Sequence, residues 1–241
     1  MDAAKYMVIS RQGSLFKTMD VIAQNVANSS STGFKAELTY QQKVQGVNGR
    51  GEHSEIGTVT DFSQGPMRIT GRPLDVAING EGFFVVKTPL GDRYTRAGNF
   101  RLDTKGSLVT QDGYKVQGKG GKITFGETDV DVTINKSGII SAKVNGISEE
   151  KGTLKIVKFD DTKSLKKIGN SLYSTAAIAK PADPLADFSV AQATIEDSNV
   201  SSVKEMTAMI GVNRSVGSTG QFLNDIQELQ RRTISTLTSR R

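Results

Sequence analysis

One histidine, His53, and no cysteine limit the chemistry open to this chain before its fold is considered. Without thiols there is no disulfide, no Cys-held zinc or iron–sulfur centre, and no thiol nucleophile. His53 lies in Gly51-Glu52-His53-Ser54-Glu55, which reads as a solvated polar loop. A triad built on it would need a serine and a carboxylate brought from elsewhere, and a metal site would need more nitrogen ligands. The nearest approach to a nucleotide motif is Gly113-Tyr114-Lys115-Val116-Gln117-Gly118-Lys119-Gly120. A phosphate-binding loop requires Ser or Thr after Gly-Lys, then a helix whose N-terminus meets the phosphate. Here Gly120 holds the hydroxyl position and residues 122–125 read as a strand, so a hairpin turn is the better account. No local spacing singles out a carboxylate pair for glycoside hydrolysis. Asp129 and Asp131 read as the wet face of a strand, and no calcium-loop spacing occurs. The expectation is a chain that is not an enzyme, with no catalytic residue, metal ligand or cofactor.

Charge points the same way. The formal net charge is +6, but Lys and Arg are interspersed with acids along most of the chain. The dense basic groups, Arg231-Arg232 and Arg240-Arg241, sit at the tail, where cations oppose the negative end of a helix dipole. A nucleic-acid surface would show clustered cations interleaved with aromatics, and none is expected. No apolar run reaches the roughly 18 residues of a membrane span, so no direct insertion is expected. The opening Met1 to Asp20 lacks the apolar stretch and small-residue site of a cleavable secretory signal.

The elements follow from periodicity. Between Asp2 and Ala27 there is no proline, and Val8, Leu15 and Ile22 recur every seven residues. Met19 and Val26 fall four positions after Leu15 and Ile22, which draws a narrow apolar seam along one helix. The run Asn28-Ser29-Ser30-Ser31-Thr32-Gly33 ends it, because these side chains bond their own backbone. At the far end Ser198 and Asn199 are candidate N-caps, and Ser202 with Glu205 fits a capping box. Val203 and Ile210, then Val216, Leu223 and Leu237, give a second seven-residue rhythm, widened by Ile226 and Leu229. Gly211, Gly217 and Gly220 each cost this helix about 1 kcal/mol relative to Ala, so it needs a packing partner.

The middle is β-rich. Short branched or aromatic runs at 74–78, 83–87, 99–102, 107–110, 114–117, 122–125, 130–134, 139–144 and 154–159 alternate with turn pairs such as Asn79-Gly80, Asp112-Gly113 and Asn145-Gly146. Such spacing predicts an antiparallel sheet domain. The fold class expected is α+β, a central antiparallel β domain flanked by N- and C-terminal helices that pack as a coiled-coil-like pair or bundle. The expected boundaries are an N-terminal helix and loop over 1–38, an extended polar linker over 39–71, the β domain over 72–178, a return linker over 179–197, and the C-terminal helix over 198–241.

Several motifs resemble one family. Asn25-Val26-Ala27-Asn28-Ser29-Ser30-Ser31-Thr32-Gly33-Phe34-Lys35 is similar to the N-terminal signature of flagellar axial proteins, the rod and hook family. Pro73-Leu74-Asp75-Val76-Ala77-Ile78-Asn79-Gly80-Glu81-Gly82-Phe83-Phe84 resembles its central motif, followed in order by Tyr94-Thr95-Arg96-Ala97-Gly98-Asn99-Phe100 and Gly106-Ser107-Leu108-Val109-Thr110. Ser198-Asn199-Val200, leading to Glu205-Met206 and Met209-Ile210, resembles the C-terminal signature. Asn213-Arg214-Ser215-Val216 follows where distal rod and hook members carry Gln-Arg-Ala-Tyr, and the opening Met1-Asp2-Ala3 looks more like a proximal rod member.

The resemblance implies a structural subunit that leaves the cell through the flagellar type III export apparatus, without a cleavable signal, and joins the rod in the periplasm. It implies helical assembly through the terminal helices to transmit torque, with adjacent proximal and distal rod proteins and copies of the chain itself as partners. Val8, Leu15, Met19, Ile22 and Val26, with Val203, Met206, Ile210, Val216, Leu223, Ile226 and Leu237, are the candidate assembly residues. Asn25, Asn28, Thr32, Gly33 and Phe34 carry the N-terminal signature. The alternative reading is a secreted β-domain enzyme or carbohydrate-binding module with helical oligomerisation ends.

Overall fold

The computed structural model of the chain describes residues 2–45, 52–184 and 186–238. The chain divides into two compact units, one of Met1–Ala27, Glu37–Asp61 and Ser201–Arg241, the other of Asn28–Ala36 and Phe62–Val200. The architecture is α+β, with the N- and C-terminal helices packed together and an antiparallel β body between them in sequence.

The first unit holds helix α1 (Asp2–Ala27), strands β1 (Glu37–Gln45) and β2 (Glu52–Thr60), and helix α2 (Ser202–Thr238). α2 runs unbroken through its three glycines. The helices pack against each other, and Asn25 near the end of α1 meets Glu205 near the start of α2, so they run antiparallel. β1 and β2 pair antiparallel from Glu37 opposite Thr60 to Gln45 opposite Glu52. This hairpin occupies much of the stretch expected to be an extended linker. Its strands carry Thr, Val and Tyr among polar residues, and α1 packs on both. Ile56 is buried, and Lys17 of α1 donates a hydrogen bond to its carbonyl. The Tyr40 ring lies over Gly57, where a Cβ would come within 2.4 Å of it. His53 therefore belongs to a strand and not to a loop, although its side chain lies outside the described residues.

The second unit opens with β3 (Met67–Ile69), β4 (Val76–Gly80), β5 (Phe83–Thr88), β6 (Gly91–Thr95), β7 (Arg101–Leu102), β8 (Leu108–Val109), β9 (Lys115–Gly118) and β10 (Gly121–Lys122). It continues through β11 (Val130–Ile134), β12 (Ile139–Val144), β13 (Ile147–Thr153), β14 (Ile156–Lys158), β15 (Lys166–Gly169), β16 (Leu172–Ser174), β17 (Lys180–Pro181), β18 (Phe188–Gln192) and β19 (Thr194–Glu196). The main sheet runs β15-β16-β6-β5-β9-β8-β7, with β10, β14 and β17 attached, and β11-β12-β13 form a second sheet.

β5 explains the layering. Phe83, Phe84, Val85 and Val86 are all buried, because both faces of this central strand are covered. Phe84 and Val86 join a core with Val76, Ile78, Phe100 and Leu108, while Phe83 and Val85 join Val157, Phe159, Leu165 and Tyr173. Phe84 meets Phe100 at 5.1 Å, and Phe62 meets Tyr173 at 5.2 Å, both edge to face. Each such side chain adds about 1.5–3 kcal/mol by leaving water.

The segment expected to be a return linker is largely strand. β18 pairs along the whole of β4, placing Phe188 and Val190 in the core, and β19 pairs with β3. The prolines at 181 and 184 suggested a linker, but Pro181 sits in the two-residue strand β17 beside β14, where short pairing tolerates a missing N–H.

Candidate assembly interface

Within the first unit the rows of partly or fully buried side chains have coiled-coil spacing. On α1 they are Val8, Gln12, Leu15, Met19, Ile22 and Val26; on α2 they are Glu205, Met209, Val212, Val216, Thr219, Leu223, Ile226 and Gln230. Steps alternate between three and four residues, which keeps one stripe of each helix against the other. All five candidate positions of α1 lie in its row, and Val216, Leu223 and Ile226 lie in that of α2. The side chain of Leu237 lies outside the described residues.

Val203, Met206 and Ile210 do not join them. They stand on the opposite side of α2 and are 73%, 58% and 56% exposed. The apparent rhythm of this helix combined two phases, since Ile210 and Val216 are six apart. Counting back by sevens from Leu223 and Ile226 gives Val216, Met209, Thr219, Val212 and Glu205, the row that is covered. α1 also carries exposed apolar residues on a second face, Ile9 at 59% and Phe16 at 48%.

Asn25 is buried and completes this unit's polar contacts. Its amide nitrogen donates to the Glu37 carbonyl at 2.9 Å and to Glu205 Oε1 at 3.3 Å, and its Oδ1 accepts from the Glu37 N–H at 3.0 Å. One amide thus pairs with the backbone as a neighbouring strand would, and it links α1, β1 and α2. Glu205, expected to close a capping box, is turned to this asparagine. α2 begins at Ser202, later than the caps suggested by Ser198 and Asn199.

In the second unit residues 28–36 lie against the β body as a strap. The Ser31 N–H and hydroxyl both bond Asn28, closing the first turn. The Thr32 carbonyl accepts from Ser171 at 3.5 Å. Gly33 has φ +64 and donates its N–H to the Glu196 carbonyl at 2.7 Å. Phe34 is buried, with the Lys167 ammonium 3.4 Å from its ring centre. Asn199 receives the Ala36 N–H at 2.8 Å and donates to Ser63 at 3.1–3.2 Å. Its cap role is replaced by this clamp.

The strap also carries Lys35, which sequence reasoning did not single out as a contact. Lys35 and Glu196 are both fully buried, with Nζ 2.5 Å from Oε1. Lys35 also donates to the Ser63 carbonyl at 2.6 Å, and Gly65 N–H donates to the same Oε1 at 2.9 Å. Arg96 approaches Oε2 at 3.5 Å. Burial pulls the Arg96 guanidinium below its ordinary value, and Glu196 opposes that shift. No signal in the sequence marks such a pair, because charged residues are normally exposed.

A polar cleft of about 280 Å³ lies beside the strap, lined by Ser31, Thr32, Asn99, Gln111, Asp112 and Ser171 among others. Hydroxyls and amides dominate, and Asp112 is its one ionisable group among the described residues. Such a lining offers hydrogen bonds without an acid–base pair. Among the described residues no group of three metal-ligating side chains converges, and no helix is long and apolar enough to cross a membrane.

Residues 77–142 match the family described as flagellar hook protein FlgE/F/G D1 domain, and residues 191–236 match flagellar basal body rod FlgEFG protein C-terminal. Over 98% of its length the chain is 36% identical to the flagellar basal-body rod protein FlgF of Caulobacter vibrioides, covering 98% of that protein. It is 33% identical over 93% of its length to the basal-body rod protein FlgG of Bacillus subtilis, covering 95% of it. The FlgF protein of Mesorhizobium japonicum is 29% identical, with both chains covered in full.

Proposed function

The chain belongs to the flagellar basal-body rod family of FlgE, FlgF and FlgG, and from that premise we propose how it serves as a structural subunit of the rod. Its role is mechanical and not enzymatic, which leaves the enzyme or carbohydrate-binding alternative without support. The β body is a rigid part of the subunit, and the paired terminal helices build the wall of the rod. The α1–α2 seam is satisfied within one chain, so contact between subunits falls to the helix faces it leaves open. Val203, Met206 and Ile210 carry this reading. Large apolar residues left in water along one stripe of a long helix are a surface waiting for cover. Contacts of this kind run head to tail and do not close, which generates a helical tube.

Likeness to both FlgF and FlgG supports rod neighbours of the same family as partners, together with copies of the chain itself. Placement in the proximal rod within the periplasm, and delivery by the type III export apparatus without a cleaved signal, complete the reading. Two variants separate the faces. Val203→Asp with Ile210→Asp should keep the helical signal and melting of the purified chain, yet fail to restore swimming to a deletion strain. Leu15→Asp with Leu223→Asp should disrupt the helix pair itself. Tagged double variant at 203 and 210 recovered in purified basal bodies at the wild-type level would refute the outer stripe as an assembly face.

A further inference from the structure

On the reading of the chain as a rod subunit, we propose that the polar cleft beside the strap receives a lysine or arginine side chain from a neighbouring subunit. Ser31 and Thr32 of the strap line it together with Thr95, Asn99 and Thr110. All five lie in motifs that resemble the rod family, and the apolar stripe of α2 uses none of them.

The frame of the cleft is bonded and its rim is open. The Thr95 hydroxyl donates to the Ser171 carbonyl at 2.8 Å and accepts the Ala97 N–H at 3.0 Å. The Thr110 hydroxyl accepts the Tyr114 N–H at 3.2 Å, and the Gln111 amide donates to the Asn99 carbonyl at 2.6 Å. Asn170 and Ser171 turn the chain between β15 and β16 with φ +50 and +54, left-handed backbone that glycine adopts more easily. By contrast, the Thr32 hydroxyl, the amides of Asn99 and Asn170 and the Asp112 carboxylate bond nothing within the protein among the described residues. Uncommitted polar groups on a fixed frame are the anchors of a binding site.

The lining selects the guest. Among the described residues around the cleft, Asp112 is the only charge and no aromatic ring is present. A phosphate or carboxylate would meet a like charge with no cation to offset it. A sugar would lack an aromatic face to stack on. An ammonium or guanidinium instead finds one carboxylate and several neutral amide and hydroxyl oxygens, all acceptors for its N–H groups. The Arg101 guanidinium donates to the Gln111 carbonyl at 3.4 Å and forms no ion pair with Asp112. With 31 Lys and Arg, copies of the chain are themselves a source of such side chains. A cleft on one subunit filled by a cation of the next is a head-to-tail contact, the kind that builds an open tube.

The backbone N–H resonances of Asn99, Asp112 and Asn170 in the full chain report occupancy. N-acetyl-arginine amide should shift all three together and saturate with a Kd on the order of 1 mM. Replacing the probe by its neutral isostere, N-acetyl-citrulline amide, or the chain by Asp112→Asn, should raise that Kd at least about fivefold. In a deletion strain, Asp112→Lys should lower recovery of the chain in purified basal bodies by about threefold or more. Asp112 is exposed, so both variants should keep the wild-type melting temperature. Equal affinity for the citrulline probe, wild-type affinity in Asp112→Asn, shifts with N-acetylglucosamine or inorganic phosphate but not with the arginine probe, or wild-type recovery of Asp112→Lys would each overturn the assignment. The titration uses the free chain, so a cleft that ignores the arginine probe ends this assignment alone and leaves the rod reading standing.

Discussion

At Gly33 the backbone has φ +64, and an added Cβ would fall 2.3 Å from the Ala97 nitrogen. Left-handed backbone costs an L-residue about 1–2 kcal/mol before any clash. Gly98 is restricted by space alone, since its Cβ would meet the Val76 carbonyl oxygen at 1.6 Å. Gly33→Ala and Gly98→Ala should each lower stability by about 2–4 kcal/mol in urea unfolding. At another residue, Asp187 accepts from Lys158 at 2.7 Å and from the Asp183 N–H at 2.8 Å, and these bonds, the lysine first, hold its carboxyl below the usual range. The folded state then binds the proton more weakly than the unfolded chain does. The contribution is complete above the unfolded value of about 3.9 and is lost as pH falls through the lower folded value. Between pH 5 and pH 2.5, Asp187→Asn should show a shallower loss of urea midpoint than wild type. Residue types announced little of this. Asn25 and Gly33 stood out through family resemblance, whereas nothing about Lys35 or Glu196 alone betrays that both are buried.

Among the elements, α2 shows where pattern reading succeeds and where it slips. Leu223 and Ile226 set the correct phase, and β5 was legible as a short apolar run, though its burial on both faces was not. The first turns of α2 misled because Val203, Met206 and Ile210 are as apolar as core residues and regularly spaced, yet they point away from α1. The β1–β2 hairpin was hidden for the opposite reason. Its residues are mostly polar, and its pairing depends on α1 covering Ile56, a fact of tertiary structure. Gly211, Gly217 and Gly220 have nothing within 4 Å of an added Cβ and lie in regular helix. Alanine at each should stabilise α2 by about 1 kcal/mol in the isolated chain, seen as a higher melting temperature of the helical circular dichroism. If the triple variant melts no higher, the open space around these glycines is not available to a methyl group.

For the molecule as a whole, the two units differ in how much they bury. In the first, Val21, Ile22 and Ile56 are the buried apolar residues among those described, while the second encloses two aromatic-rich clusters. Heating should therefore proceed in two steps. Helical signal should fade first, and the near-ultraviolet signal of Tyr173 and its phenylalanine neighbours should follow at higher temperature. Coincident transitions by both probes would mean that the units unfold as one. The plan of helix, sheet and helix was legible in the sequence because each part has its own periodicity. The interleaving of units along the chain was not, since no local pattern records which distant segment a helix will meet.

The pairing of α1 with α2 sets a schedule for the newborn chain. Ala27 ends one helix and Ser202 begins the other, so a ribosome adding ~5–20 residues per second leaves α1 waiting roughly 10–35 s for its mate. An isolated helix interrupted by Gly13 and carrying several branched residues is weakly populated without tertiary packing. Throughout that interval α1 is a solvated segment of the nascent polypeptide, open to whatever cellular factor reaches it first.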